Sequence, residues 1–204
     1  MEIDRVPDPA PDDVLDGLAD VLRDAVDDGA SVGFPAVPDP AAARAWWAAW
    51  LAGGAWTWVA RDPGGRLVGT VSLVPAGARN GAHRAELSKL LVHRDARGRG
   101  VASALVAAAE AEAARAGRWL LVLDTETGSA AESVYPRWGW RRVGTVDAYA
   151  LSPRGVLTGT TFFTKTLPGA PPAPAEPEEH SYPAQGVRAT DAPARPGCPS
   201  REPA

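Results

Sequence analysis

The stretch from Ala85 to Leu105, AELSKLLVHRDARGRGVASAL, constrains the fold of this chain more than any other. Leu87, Leu90, Leu91 and Val92 put apolar side chains on both faces of the pleat, the pattern of a strand covered on both sides. Val101, Leu105, Ala109 and Ala113 then recur at four-residue spacing and form one stripe, which predicts a helix with Ser103 and Glu110 turned away. Between strand and helix stands Arg97-Gly98-Arg99-Gly100-Val101-Ala102. Glycines admit a ligand close to the backbone, the first-turn amides of a helix lack internal partners, and the helix dipole favours negative charge at that end. The turn therefore has the chemistry of an anion cradle. It is neither of two common phosphate loops: there is no G-x-x-x-x-G-K-[ST], and Ser103 stands where G-x-G-x-x-G needs a further glycine or alanine. From the residues alone, a solvated turn that merely starts a helix accounts for the same pattern.

In chain order, residues 2–7 are expected to form a short edge strand, ended by Pro7 and Pro9. Asp12 to Ala25 carries Leu15, Leu18 and Leu22 on one helical face and Asp12, Asp16, Asp20 and Asp24 on another. That acidic stripe reads as a solvated face in preference to a lure for a cationic substrate. The loop Gly29-Ala30-Ser31-Val32-Gly33-Phe34 leads to a second helix opened by Pro40, whose Trp46, Trp47 and Trp50 offer a large aromatic surface of the kind that usually forms core. Residues 55–60 and 66–74 should pair as a hairpin through Asp62-Pro63-Gly64-Gly65. After the central stretch, Arg118 to Asp124 reads as a buried strand with Asp124 at its end. Ser129-Ala130-Ala131-Glu132 has the spacing of a capping box, so Ser129 should cap a short helix bearing Tyr135, kinked or ended early by Pro136 and stopped by Gly139. Trp140 to Val146 and Thr160 to Thr166 read as the last two strands, joined through Ser152-Pro153-Arg154-Gly155.

With 204 residues and a net charge of -4, the chain should hold one ordinary domain, residues 1–167, followed by a disordered Pro/Ala-rich tail over 168–204 with no catalytic role. The near-neutral balance gives no argument for a nucleic-acid partner. The lone Cys198 cannot form an internal disulfide and the histidines lack metal-ligand spacing, so no metal site and a reducing compartment are expected. His83 and His93 are expected at the surface. The acidic start lacks the apolar core of a signal peptide, and the longest apolar run, Trp46 to Trp56, falls well short of the ~20 residues that span a bilayer. A soluble, cytoplasmic chain with no membrane partner is the expectation.

Arg97, Gly100 and Ala102 match R-x-x-G-x-A, while Ala131, Tyr135, Gly139 and Trp140 match A-x-x-x-Y-x-x-x-G-aromatic. In these residues the chain resembles the GNAT superfamily of N-acetyltransferases, whose central strand, turn and helix cradle the pyrophosphate of acetyl-CoA. The stretches GASVGF, RAELSKLLV, ARGRG, LDTETGSAAESVY and FFTKTL narrow the resemblance to the tabtoxin-resistance acetyltransferases of that superfamily. It implies the α/β acyl-CoA N-acyltransferase fold, a mixed central sheet of about six or seven strands flanked by about four helices.

The implied reaction is direct acetyl transfer from acetyl-CoA to a primary amine of a small amino-acid-like substrate, with toxin or antibiotic inactivation as a candidate role. An α-amine has a reference pKa near ~8, so a base must accept a proton around neutrality. By the resemblance, Glu86 is the candidate base and Asp124 a second base or substrate anchor, with orientation of the loop before Ser129 as the competing role for Asp124. Tyr135 is the candidate donor to the departing CoA thiolate, since a phenol near pKa ~10 stays protonated; packing beneath the cofactor is its alternative role. Backbone groups of Leu91 and Val92 should meet the pantetheine arm, and amides of Arg97, Gly98, Arg99, Gly100, Val101 and Ala102 the pyrophosphate. Gly128 stands where many superfamily members carry asparagine. Two other readings remain open: an acyl-CoA-binding sensor without chemistry, because fold alone does not fix function, and a peptide or protein acetyltransferase. GASVGF and the Trp46 to Trp50 aromatics favour a compact substrate, and the oligomeric state stays at monomer or homodimer.

Overall fold

In the computed structural model, which describes residues 1–171, the regular elements run β1 (Glu2–Arg5), α1 (Asp12–Asp27), α2 (Pro40–Ala52), β2 (Trp56–Arg61), β3 (Leu67–Pro75), β4 (Arg84–Val92), α3 (Val101–Arg115), β5 (Leu120–Glu126), β6 (Arg141–Leu151) and β7 (Leu157–Thr166). The strands form a single seven-stranded sheet in the order β1-β2-β3-β4-β5-β7-β6. The expected α/β architecture holds. All but a few residues of the expected tail lie outside the described residues.

Each helix forms for a local reason. α1 repeats its apolar residues with helical period, burying Leu18, Val21, Leu22, Ala25 and Val26. α2 starts at Pro40 behind Asp39, whose carboxylate accepts the Ala42 amide at 2.8 Å. α3 buries the predicted stripe of Val101, Leu105, Ala109 and Ala113. The helices cover opposite faces of the sheet. α1 and α2 pack with Val59, Leu67 and Leu91, whereas α3 packs with Val71, Leu73, Ala85, Leu87, Leu121, Leu123 and Phe163. Gly69 lets α3 come close, since a Cβ there would stand 2.9 Å from Val101 Cγ1 and 3.1 Å from Leu105 Cδ1.

Among the described residues only β4 and β5 pair in parallel, with α3 as their crossover. Their pairing is brief: Arg84 faces Leu120, Ala85 faces Leu121, Glu86 faces Val122, and there it ends although both strands continue. On its other side β4 stays paired with β3, but the register slips between Thr70 and Ser72 as β4 accommodates a bulge. Lys89 lies in the bulge with φ of 52°, a left-handed conformation seldom adopted by a residue with a Cβ. The two central strands thus part at the middle of the sheet.

Three expectations need correction. The segment after β5 is not an α-helix: residues 129–134 form turns and only Tyr135–Trp138 closes a 3₁₀ turn. Pro136 removes an amide, and Glu132 turns its carboxylate to the Gly128 amide (2.6 Å) and the Thr161 hydroxyl (2.7 Å), so only the Ser129 half of the box forms, with its hydroxyl accepting the Glu132 amide at 3.2 Å. The described residues therefore hold three α-helices where about four were expected. His93 is buried at 8% exposure, its Nδ1 accepting the Asp95 amide and its Nε2 lying 2.7 Å from the Arg66 guanidinium, while His83 is half-buried and stacked on Trp119.

Candidate active site

Where β4 and β5 part, two carboxylates share one face. Glu86 is opposite Val122, and Asp124 lies two residues farther along β5, so strand alternation turns both side chains to the face that carries α2. Both residues are exposed to solvent, yet enough protein surrounds them to desolvate their carboxylates in part. Partial burial raises the pKa of Glu86, and the negative charge of Asp124 raises it further against the opposing pull of Lys89 and Arg84. Burial likewise raises Asp124, with Lys89 and its own backbone acting against the shift. The two acids are set up to take a proton nearer neutrality than ordinary carboxylates do.

Above them stands an aromatic wall. Trp47 is fully buried, but Trp46 and Trp50 are only half-buried, stacked at 5.2 Å, with Phe34 edge-on to Trp46 at 5.4 Å. Trp50 is pinned to the sheet: its indole N–H donates to the Ser72 hydroxyl at 3.1 Å, and Ser72 is 2.8 Å from the Thr57 hydroxyl. The aromatic stripe is therefore divided, one ring in the core and two facing the parted strands. The Lys89 ammonium reaches this wall, lying 5.5 Å from the Trp46 ring and 5.2 Å from Trp50 while donating to the Val32 carbonyl at 3.2 Å. Burial lowers its pKa, a shift that Asp124 and Glu86 partly oppose. Sequence reasoning passed over Lys89, Ser72 and Thr57. A lysine within the otherwise apolar run of RAELSKLLV was the available signal for the first.

Behind the parted strands lies the glycine turn. Gly98 and Gly100 have φ of 73° and 78°, and a Cβ on Gly98 would meet nothing within 4 Å. Gly100 caps α3 without a side-chain bond, and the Ser103 hydroxyl turns back to the Gly100 carbonyl at 2.8 Å. Among the described residues the amides of Gly98, Arg99, Gly100, Val101, Ala102 and Ser103 take no acceptor from outside their own helix. An open, glycine-walled row of amides at a helix N-terminus fits a polyanion such as a pyrophosphate. The Arg97 amide is less available, leaning on the Arg94 carbonyl at 3.4 Å, and its side chain braces the turn by donating to the Val92 carbonyl at 3.1 Å and pairing with Asp28. Leu91 and Val92 pair with Thr70 and Gly69 of β3, and their other edge faces the gap left by β5.

Tyr135 sits on the other side, in the core of α3. It is 5% exposed and ringed by Trp138, Trp140 and Phe163 at centroid distances of 5.9, 6.0 and 5.5 Å. Burial, and after it the Asp124 charge, push its pKa above that of a free phenol, so the hydroxyl stays protonated.

A model of the Acetyltransferase (GNAT) family matches residues 20–140. The chain belongs to the GNAT family. The match runs from Asp20, midway along α1, to Trp140 and so includes the parted strands, the glycine turn and Tyr135. As a GNAT protein it is an N-acetyltransferase whose acyl donor is acetyl-CoA. Solved structures repeat the fold. A GCN5-related N-acetyltransferase from Kribbella flavida is 25% identical, over 81% of this chain and 98% of that one, with a TM-score of 0.66. A ribosomal-protein-alanine N-acetyltransferase from Brucella melitensis is 24% identical over 82% and 100%, with a TM-score of 0.69. A phosphinothricin acetyltransferase from Sinorhizobium meliloti, in complex with AcCoA, is 18% identical over 90% and 96%, also with a TM-score of 0.69. Among the described residues of this GNAT chain no helix is long and apolar enough to cross a membrane.

Proposed function

We propose that this enzyme transfers acetyl from acetyl-CoA directly to the primary amine of a small amino-acid-like substrate. The observation that carries the proposal is the pair Glu86 and Asp124, two carboxylates of raised pKa on one face of the sheet where β4 and β5 separate. Bound acetyl-CoA supplies an electrophilic thioester carbon. The amides of Gly98 to Ala102 would hold its pyrophosphate, with a smaller share from Arg97, and the open edge of β4 at Leu91 and Val92 would hold its pantetheine arm. Glu86 accepts the proton of the acceptor amine, and Asp124 anchors that amine or relays the proton. Tyr135, kept protonated by burial, is the donor to the departing sulfur. Trp46, Trp50 and Phe34 form an aromatic wall beside Lys89 on the same face, which favours a compact acceptor held close to the reacting carbon over a peptide. The stretches shared with tabtoxin-resistance acetyltransferases, and the phosphinothricin acetyltransferases among the structures of like fold, extend the proposal to an amino-acid-like toxin or antibiotic as acceptor.

Release of CoA thiol against a panel of amino acids, amino-acid-like toxins, polyamines, aminoglycosides and peptides tests this directly. Turnover is expected with amino-acid-like amines and should fall by about 10²–10⁴ in Glu86→Gln with acetyl-CoA affinity near wild type. Tight acetyl-CoA binding without turnover on any amine would replace the proposal with a sensing role.

A further inference from the structure

The chain has only two lysines, and the fold treats them in opposite ways. Lys165 is saturated, with both Glu110 carboxylate oxygens and the Trp138 carbonyl at 2.7 Å. Lys89 has two indole faces and one carbonyl, and among the described residues no carboxylate oxygen lies within 4.0 Å of its ammonium. Ring faces and a carbonyl aim a cation without neutralising it, and Glu86 and Asp124 act on it only from beyond ion-pair distance, so its half-burial stays costly. The backbone adds to that cost, because Lys89 takes a positive φ in the bulge that turns its side chain toward Trp46 and Trp50. Strain, desolvation and a charge with no contacting carboxylate coincide at the mouth where the central strands part, the kind of coincidence found where a ligand completes a site.

We infer that Lys89 anchors an anionic group of the acceptor, so that the site takes an amine that also carries a carboxylate or a comparable oxyanion. The inference rests on the reading of Glu86 and Asp124 as the amine end of the site. The face below α2 then presents negative charge from β4 and β5 and one positive point from the bulge, the complement of a zwitterion. One N–H of the ammonium is spent on Val32, and the others remain for the ligand. The same arrangement works against polycations such as polyamines and aminoglycosides, because Lys89 already covers the indole faces that would otherwise attract them.

A set of α-amino acids, each paired with its α-amide, provides the test, since the amide keeps the amine and removes the carboxylate. Acetylation kinetics and calorimetric binding in the presence of CoA are measured for wild type, Lys89→Met and Lys89→Arg. Wild type should prefer the acids by about tenfold or more in KM and affinity. Lys89→Met should abolish that preference, chiefly through KM, while leaving acetyl-CoA affinity near wild type, and Lys89→Arg should retain part of it. A preference that survives in Lys89→Met, or a wild type that does not discriminate within any pair, overturns the inference. Binding and turnover separate the two readings. Carboxylate-selective binding lost in Lys89→Met, without turnover in any variant, upholds the anchor and removes the transferase reading, whereas turnover without discrimination does the reverse.

Discussion

Two regions of this protein use the same charged residue types to opposite ends. Along α1 every aspartate meets an arginine: Asp12 and Asp16 pair with Arg44, Asp13 with Arg61, Asp20 with Arg66, Asp24 and Asp27 with Arg94, and Asp28 beyond the helix end with Arg97. The acidic stripe is solvated as the sequence predicts at Asp12, Asp16 and Asp20, and from the surface it is stitched to α2, to the β2–β3 hairpin and to the β4–α3 turn. Its chemistry is spent on holding the fold, and the bond from Arg97 draws the Asp28 pKa below the usual carboxylate range. At the parted strands, Glu86 and Asp124 meet no such partner, and burial moves their pKa values upward. Matching a carboxylate with an arginine makes it inert as a base; leaving it partly desolvated and without an arginine partner raises its pKa toward that of a useful base, at a cost to stability.

The largest expected effect separates the regions by activity. Glu86→Gln should lower kcat by about 10²–10⁴, whereas Asp28→Asn, equally a loss of one negative charge, should leave kcat within about twofold in the same thiol-release assay. A large loss in Asp28→Asn, or none in Glu86→Gln, would break the division. Next in size is the cradle. Gly100 sits at a left-handed φ that a β-branched residue adopts only under strain of about 1–3 kcal/mol, so Gly100→Val should weaken acetyl-CoA binding by about tenfold or more. Unchanged affinity by calorimetry would remove the glycine turn from the binding site. Smaller again is the pH dependence. The base must be deprotonated to act, so the acidic limb of kcat/KM should lie above the ordinary carboxylate range and move when the charge that raises Glu86 is removed: in Asp124→Asn the limb should shift to lower pH.

How much of this was legible in the chain depended on how local each signal was. The α3 stripe and the glycine turn could be read because Val101, Leu105, Ala109 and Ala113 repeat with the helix and Gly98 and Gly100 bracket its start, with no information needed from elsewhere. Glu86 and Asp124 were named from the family resemblance, and what sets their pKa is tertiary, namely how far β4 and β5 stay paired. Lys89 was missed because strand alternation does not survive a bulge. Its side chain points where it does only because an extra residue enters β4 opposite β3. The short helix failed for a local reason visible in advance, Pro136, combined with one that was not, the pull of Thr161 on Glu132. His93 looked like a surface residue because nothing in its neighbours in sequence announces that Arg66, from a distant hairpin, closes over its ring.

The smallest expected effect is the one that tests the comparison thermodynamically. Folding lowers the Asp28 pKa, so its stabilising contribution is present above the unfolded-state value and is lost as pH falls through the folded-state value. Folding raises Glu86 and Asp124, so their contributions are present below the unfolded-state value and are lost as pH rises through the folded one. Near neutrality, then, Asp28→Asn should lower Tm by no more than about 2 °C, as befits a surface pair, and Glu86→Gln and Asp124→Asn should raise it slightly. Melting curves from pH 3 to pH 7 should show the two differences growing with pH in opposite directions. If all three variants destabilised in parallel, the unmatched carboxylates would be part of the same stabilising network as those of α1, and the distinction between a charge that holds the fold and a charge reserved for the substrate would fail.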